Sequence, residues 1–288
     1  MVSRDEAIEK RYDLYRENAG TEEWAMPINF HDKQNRQSYA LREADRSWRE
    51  AIQELVNVSG LSVLDIGSGG GIYSRALAEM GAARVTGVDF SQEMLAEARE
   101  QSQGYAQVEF VSGNALATGL PGETYDLILE RALIHHLAQV DLEEAMREAF
   151  RLLRPGGILL IQDRTPEDIL LPGSKRHIRG YFFERYPRLM RKEIERRPEL
   201  DTVLQALHRA GFARTGAEKL WETRARFPDL AALAEDLLNR TGRSILHELT
   251  DTELQDLVDF IRQELQSQLK PGEEIVEEDR WTVWSGKR

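Results

Sequence analysis

An α/β fold, a doubly wound parallel sheet with helices on both faces, is what this sequence predicts, and three observations predict it. From Leu61 to Asp163, β-favouring runs alternate with segments of helical spacing. One of those runs, Val63-Leu64-Asp65-Ile66, breaks into Gly67-Ser68-Gly69-Gly70-Gly71 before helical spacing returns at Tyr73 to Met80. The next run closes on Asp89, 22 positions beyond Gly67. Strands separated by helices need crossover connections, and right-handed crossovers make the strands parallel.

The first sixty residues read as polar helices with few apolar positions. Residues 1–20 carry Tyr12, Leu14 and Tyr15, while Ser38 to Val58 carries Leu41, Trp48, Ile52, Leu55 and Val56 at helical spacing and is stopped by Gly60. Between them Trp24 to His31 is an aromatic, irregular stretch, either a staple for the N-terminal arm or a lid over substrate. Strands are expected at 61–66, 84–89, 107–111, 124–130 and 157–163, with helices at 72–80, 92–103, 133–138 and 141–153. Ser91 is placed to cap the second of these helices. Asp141 and Glu144 have capping-box spacing for the last, which ends before Pro155-Gly156-Gly157.

After Asp163 the regularity fails. Residues 164–200 hold four prolines and the aromatic cluster Tyr181, Phe182, Phe183 and Tyr186. From Ser174 to Arg197 there are nine Lys/Arg against three Glu, which reads as a solvated helix face or as a site for an anionic substrate. A helix at 201–210, closed by Gly211, leads into a strand at 214–226. Residues 227–280 reverse the charge, with fourteen acidic side chains against five basic. There Thr250 and Glu253 form a capping box, Leu249 and Leu254 a staple, and Leu257, Val258, Ile261 and Leu265 an apolar stripe. Arg280 to Ser285 reads as a last strand, and its pairing with 214–226 would make 227–279 a helical insertion. The chain then divides into an arm (1–60), a core (61–163), an insertion (164–200), a core helix and strand (201–226), a second insertion (227–279) and a final strand (280–288).

Composition narrows the classes of function. A length of 288 residues suits one large domain with additions. No apolar run of about eighteen residues is present to span a bilayer, and the start lacks a signal peptide's apolar region, so a cytoplasmic protein is expected. The absence of cysteine removes disulfides, thiolate metal sites and a cysteine nucleophile. A net charge of −12 argues against non-specific binding to nucleic acid or to an anionic membrane.

Ligands of open α/β sheets bind beyond the carboxyl ends of the strands, where the strand order reverses. The residues at those ends are Asp65 to Gly71, Asp89-Phe90, Asn114-Ala115, Glu130-Arg131 and Asp163. Asp89 has the spacing at which a carboxylate takes the hydroxyls of a ribose. A dinucleotide fingerprint needs Gly or Ala at its sixth position, where this chain has Ile72, and Asp65 would repel a pyrophosphate. A cationic ligand would instead be favoured by Asp65.

On these residues the sequence resembles the class I S-adenosylmethionine-dependent methyltransferases, and most closely the small-molecule enzymes of the ubiquinone/menaquinone-biosynthesis type. Five elements carry the resemblance in order: Val63 to Gly71, Gly87-Val88-Asp89-Phe90-Ser91 with Met94 and Ala98, Tyr125 to Leu129, His135-His136-Leu137, and Leu153-Arg154-Pro155-Gly156-Gly157. The resemblance implies a Rossmann-like, seven-stranded, mostly parallel sheet with an antiparallel last strand, plus helical cap insertions. It implies S-adenosylmethionine as cofactor and S-adenosylhomocysteine as product. Gly67, Ser68 and Gly69 would lie against the methionine moiety and Asp65 would hold its ammonium group. Asp89 would take the ribose, and Phe90, Met94, Asn114 and Ala115 the adenine. Asn114 stands where the family usually has Asp. Glu130 would face the sulfonium or the substrate, or pair with Arg131 or Arg164.

The catalytic side is less defined. His135 and Glu130 are the candidates for proton transfer; of the adjacent His135 and His136, a helix would turn only one toward the site, and the plainer arrangement packs one and solvates the other. No metal-ligand spacing is visible. Methyl transfer from a sulfonium is an in-line displacement that needs alignment and desolvation more than a dedicated base. The expected partner is a small-molecule acceptor, enclosed by a cap carrying Tyr181, Phe182, Phe183 and Trp221, in a monomer or homodimer. The alternatives are a non-catalytic S-adenosylmethionine-binding protein and an NAD(P)-dependent oxidoreductase. A nucleic-acid enzyme is disfavoured by the lack of an Asn-Pro-Pro-Tyr-like motif.

Overall fold

The computed structural model describes residues 44–288. The helical reading of residues 1–20 and the aromatic stretch 24–31 lie outside them. The chain runs through α1 (Arg46–Leu55), β1 (Ser62–Ile66), α2 (Ile72–Glu79), β2 (Arg84–Asp89), α3 (Gln92–Gln101), β3 (Val108–Ser112), β4 (Tyr125–Arg131), α4 (Leu142–Leu152) and β5 (Leu153–Asp163). It continues through α5 (Pro166–Ile169), α6 (Arg179–Arg185), α7 (Pro187–Glu195), α8 (Leu200–Ala210), β6 (Ala213–Phe227), α9 (Leu230–Leu238), α10 (Asp251–Gln266) and β7 (Ile275–Lys287). The seven strands form one sheet in the order β3-β2-β1-β4-β5-β7-β6, with β1 to β5 parallel and β7 antiparallel to β5. The order reverses between β1 and β4, so a ligand crevice is expected at their carboxyl ends.

The described chain divides into two compact units, one of residues 44–165, 198–220 and 281–288, the other of residues 166–197 and 221–280. In the first, strand alternation sorts the apolar side chains into two layers. Leu64, Ile66, Ile128, Leu159 and Ile161 lie under Leu142, Met146 and Leu152 of α4 and Val203 and Leu207 of α8. Val63, Leu127, Leu129 and Leu160 lie under Trp48 and Ile52 of α1 and Ala76 and Leu77 of α2. Each such side chain contributes roughly 1.5–3 kcal/mol by leaving water, and together they fix the strand register that sets the ends of β1, β2 and β4. The Trp48 indole also donates to Gln162 Oε1 at 2.7 Å, tying α1 to the end of β5.

Local differences from the sequence reading have physical causes. Residues 133–138 make only a 3-10 turn, Ile134–His136, because the backbone becomes extended at Leu137 and Ala138, with ψ of 143° and 147°. Asp141 gives α4 no side-chain cap, since it ends a preceding 3-10 turn with helical backbone angles in place of the extended ones a cap residue adopts. The strand expected at 157–163 begins at Leu153: its pairing with β4 jumps from Tyr125↔Leu153 to Leu127↔Ile158, so the Pro-Gly-Gly segment is absorbed as a bulge. Ser91 does cap α3, accepting from Met94 N at 3.3 Å.

In the second unit, Tyr181, Phe182 and Phe183 of α6 are buried with Leu189 and Ile194 of α7, Leu233 and Leu237 of α9 and Leu257 and Ile261 of α10. These aromatics are thus core side chains of the unit rather than an aromatic lining. Thr250 and Glu253 form the capping box of α10. The basic stretch also finds a different use: Lys175, Arg176, Arg185, Arg188 and Lys192 pair with Glu273, Glu278, Asp256, Glu253 and Glu248 in turn. A run of one sign therefore meets the acidic run of the other inside one unit. Deeper down, Glu193 is fully buried among Arg179, Arg196 and Arg197, whose charges hold its carboxyl well below the usual range despite burial.

Candidate functional site

The glycine turn after β1 is built from the backbone outward. Gly67, Gly69 and Gly71 have φ of 76°, 51° and 77°, a left-handed region where a side chain is costly. Gly67 N and Ser68 N both donate to Val88 O, at 2.8 and 3.0 Å, which fastens the turn to β2. Space is as restrictive as conformation. A Cβ at Gly71 would lie 2.6 Å from Phe110 Cζ, and one at Gly67 would lie 3.1 Å from Leu133 Cδ1. The Ser68 hydroxyl is buried without a hydrogen-bond partner, so the turn keeps a polar atom in reserve.

Carboxyl groups surround this turn. Asp65 is buried on β1 and accepts from Ser74 Oγ at 2.6 Å. Burial pushes its carboxyl up to about 6; the Ser74 bond and Arg131 oppose that rise and nearby Asp89 adds to it. Asp89, at the end of β2, accepts from Gly69 N and Ser91 N, both at 2.9 Å, one on each oxygen. Burial raises it as well, against those backbone donors. Phe90 follows with its side chain in water, 62% exposed, and Met94 Cε comes within 3.3 Å of where a Gly69 Cβ would stand. Phe90 is therefore an apolar face beside a polar turn. Asn114 is exposed, its Oδ1 accepts from Leu116 N at 2.9 Å in an Asx turn, and Ala115 after it is partly buried.

The β4 side adds the strongest polar anomaly. Glu130 is fully buried, in register with Ile66 of β1 and Ile161 of β5. Neither of its oxygens has a hydrogen-bond partner, so the pairing with Arg131 or Arg164 does not form. Burial alone pushes its carboxyl up to about 8. The Arg131 guanidinium lies instead over the rings of Tyr73 and Trp281, and that of Arg164 over Trp281.

His135 is brought to Asp163, a residue that sequence reading marked only as a strand end. The ring Nδ1 lies 2.8 Å from Asp163 Oδ2, and the His135 backbone N–H donates to the same oxygen at 3.2 Å. Arg164 N supplies a further donor to Oδ1 at 2.8 Å. His136 is exposed, its ring 4.0 Å from that of His135. Ser74 and Leu133 carry little signal in the sequence, since each acts through a partner on another element, and Asp163, though a strand end, carries no sign of its bond to His135. Among the described residues no cluster of three potential metal ligands is assembled, and no helix is long and apolar enough to cross a membrane.

The crevice thus joins a backbone cradle, three buried carboxyl groups held above their ordinary range and an exposed aromatic face. That set suits a cationic nucleoside ligand better than a pyrophosphate. Comparison with known proteins agrees. Residues 63–157 match the family described as "Methyltransferase domain". The chain is 29% identical over 185 residues to the ubiquinone/menaquinone biosynthesis C-methyltransferase of Roseobacter denitrificans, covering 58% of this chain and 72% of that protein. It is 38% identical over 124 residues to the ubiquinone biosynthesis O-methyltransferase of Pseudomonas fluorescens, covering 41% of this chain and 52%, about half, of that protein. In fold it is similar to phosphoethanolamine N-methyltransferase 2 of Haemonchus contortus, solved with phosphomonomethylethanolamine and S-adenosylhomocysteine. There the TM-score is 0.57 at 18% identity, over 92% of this chain and 61% of that one. Over residues 63–157 the chain is therefore similar to the methyltransferase-domain family, in the part that holds the glycine turn, Asp89 and Glu130.

Proposed function

We propose that this protein transfers a methyl group from S-adenosylmethionine to a small organic acceptor, leaving S-adenosylhomocysteine. The observation that carries the reading is the glycine turn after β1, where Gly67, Gly69 and Gly71 hold a left-handed backbone, with the buried carboxyl groups Asp65, Asp89 and Glu130 on the ends of β1, β2 and β4 beside it. The bound donor would supply a methyl carbon already activated by a sulfonium. Gly67, Ser68 and Gly69 would hold its methionine end, with Asp65 toward the ammonium group. Asp89 keeps a free lone pair on each oxygen beyond its backbone donors, which suits a ribose diol. Phe90 and Met94 would pack on the adenine, while the Asn114 amide N–H groups would donate to a ring nitrogen.

On the acceptor side, Asp163 fixes the His135 tautomer: with the Nδ1 proton given to the carboxylate, Nε2 is the basic nitrogen. That ring would take the proton of an O–H, N–H or acidic C–H acceptor as its nucleophilic atom is methylated. The relatives are named as C- and O-methyltransferases of quinone biosynthesis, which supports a small organic, quinone-precursor-like acceptor. Calorimetric titration of the full chain tests the donor: S-adenosylmethionine and S-adenosylhomocysteine bind, NAD⁺ does not. Binding of NAD⁺ alone would replace the reading with an oxidoreductase. Binding of both adenosyl ligands, with no label passing from methyl-labelled donor to any phenol or quinol offered, would favour a non-catalytic binding protein.

A further inference from the structure

Glu130 is the one buried carboxyl of the crevice that nothing satisfies. It stands one residue short of the end of β4, opposite Ile66, the last residue before the glycine turn. A carboxyl group buried without a partner is expensive, and a chain that keeps one there is holding it for something that arrives later. Among the described residues, the charged groups named on the neighbouring strands and on α4 have other engagements. Asp163 and His135, on the same sheet face at the end of β5, are bonded to each other. Arg131 follows on β4 but lies over Tyr73 and Trp281. Asp65 on β1 accepts from Ser74, and Asp89 on β2 from two backbone N–H groups. From α4, which covers this face, the buried Glu148 is held by Thr118 and Arg151.

We propose that Glu130 is the counter-charge of the methyl donor's sulfonium: protonated in the empty protein, it ionises when the donor binds, releases its proton to solvent, and takes one back when the sulfur becomes a neutral thioether. The inference rests on the reading of the site as one for S-adenosylmethionine. It assigns Glu130 a specificity between donor and product that the rest of the cradle cannot provide. The donor and product share the ammonium, carboxylate, ribose and adenine, so Asp65 and Asp89 meet the same groups in both. They differ in the methyl group and in the charge on sulfur, and a carboxyl near that sulfur reads the charge. After transfer the anion would face an uncharged sulfur in an apolar pocket, so reprotonation removes the attraction and the product is released more readily.

The proton bookkeeping makes this measurable. Because burial holds Glu130 near 8, donor binding at pH 6–7.5 must displace close to one proton. The donor's Kd then falls about tenfold per pH unit between pH 6 and 8 and levels above that, while the product's Kd lacks this component. The experiment titrates the full chain with S-adenosylmethionine and with S-adenosylhomocysteine at pH 6.5, in buffers of low and high ionisation enthalpy, and repeats both with Glu130→Gln. Support is a release of about one proton for the donor and not the product, lost in Glu130→Gln together with at least about a tenfold preference for the donor over the product at pH 8. Product binding retained by the variant shows that its cradle is folded. If donor and product release equal numbers of protons, or if Glu130→Gln keeps the donor-specific release, the proposal is overturned and the methyltransferase reading stands; the second result would point to His135. If neither ligand binds the wild-type chain, both fall.

Discussion

Asp89→Ala separates the two tasks this carboxylate performs. In the folded chain each oxygen already accepts one backbone N–H at 2.9 Å, from Gly69 and from Ser91. One lone pair per oxygen is left for a ribose hydroxyl. A hydrogen bond to a charged group contributes about 1.5–3 kcal/mol net, so loss of two costs about 3–6 kcal/mol of binding, or roughly 100- to 10 000-fold in Kd for S-adenosylhomocysteine. The stability loss is smaller. Two backbone donors lose their acceptor, at about 1–3 kcal/mol for a buried one, but the cost of burying the carboxylate, visible in its raised pKa, disappears with it. Titration with S-adenosylhomocysteine, alongside urea unfolding of the empty protein, reads the two effects separately. An affinity within about threefold of wild type, in a variant that still unfolds cooperatively, would show that the ribose is held elsewhere and that Asp89 only stitches the turn.

Gly71→Ala places a Cβ 2.6 Å from Phe110 Cζ at a φ of 77°, so about 1–2 kcal/mol of backbone cost adds to about 1–3 kcal/mol of overpacking. Gly119→Ala, at a φ of 75° with nothing within 4 Å, pays only the backbone part; equal losses in urea unfolding would contradict the steric argument. Glu130→Gln changes stability in a pH-dependent way. The folded carboxyl, near 8, binds its proton more tightly than the unfolded one near 4.5, so wild-type stability declines as pH rises from about 4.5 to 8 and the variant's does not on this account. The variant should gain on the order of 4 kcal/mol relative to wild type between pH 4.5 and pH 8, and a pH-independent difference between the two would refute the assignment of an unpaired buried acid.

What could be read from the sequence followed from local rules. The glycine turn and the strand end at Asp89 were legible because backbone conformation is fixed locally, and Ser91 and the Thr250–Glu253 box because a cap needs only four residues. The misreadings are tertiary. The pattern at 133–138 looks helical, yet extended backbone at Leu137 and Ala138 ends it after one 3-10 turn, from which His135 meets Asp163, 28 residues later. Glu130 looked equally able to pair with Arg131 or Arg164, and only the stacking of both guanidiniums on Trp281, more than a hundred residues later, takes them away from it. Tyr181, Phe182 and Phe183 looked like a pocket lining because an aromatic cluster gives no hint of whether it faces a ligand or a core.

The separation of charge within the second unit has a consequence for how the chain is made. Lys175 and Arg176 meet Glu273 and Glu278, 98 and 102 residues later. At a synthesis rate of about 5–20 residues per second, Lys175 and Arg176 wait roughly 5–20 seconds for these two partners, whereas Arg185, Arg188 and Lys192 wait a shorter time for Asp256, Glu253 and Glu248. The pairing across the two runs cannot precede synthesis of the acidic one, so its timing is set by the distance along the chain between them.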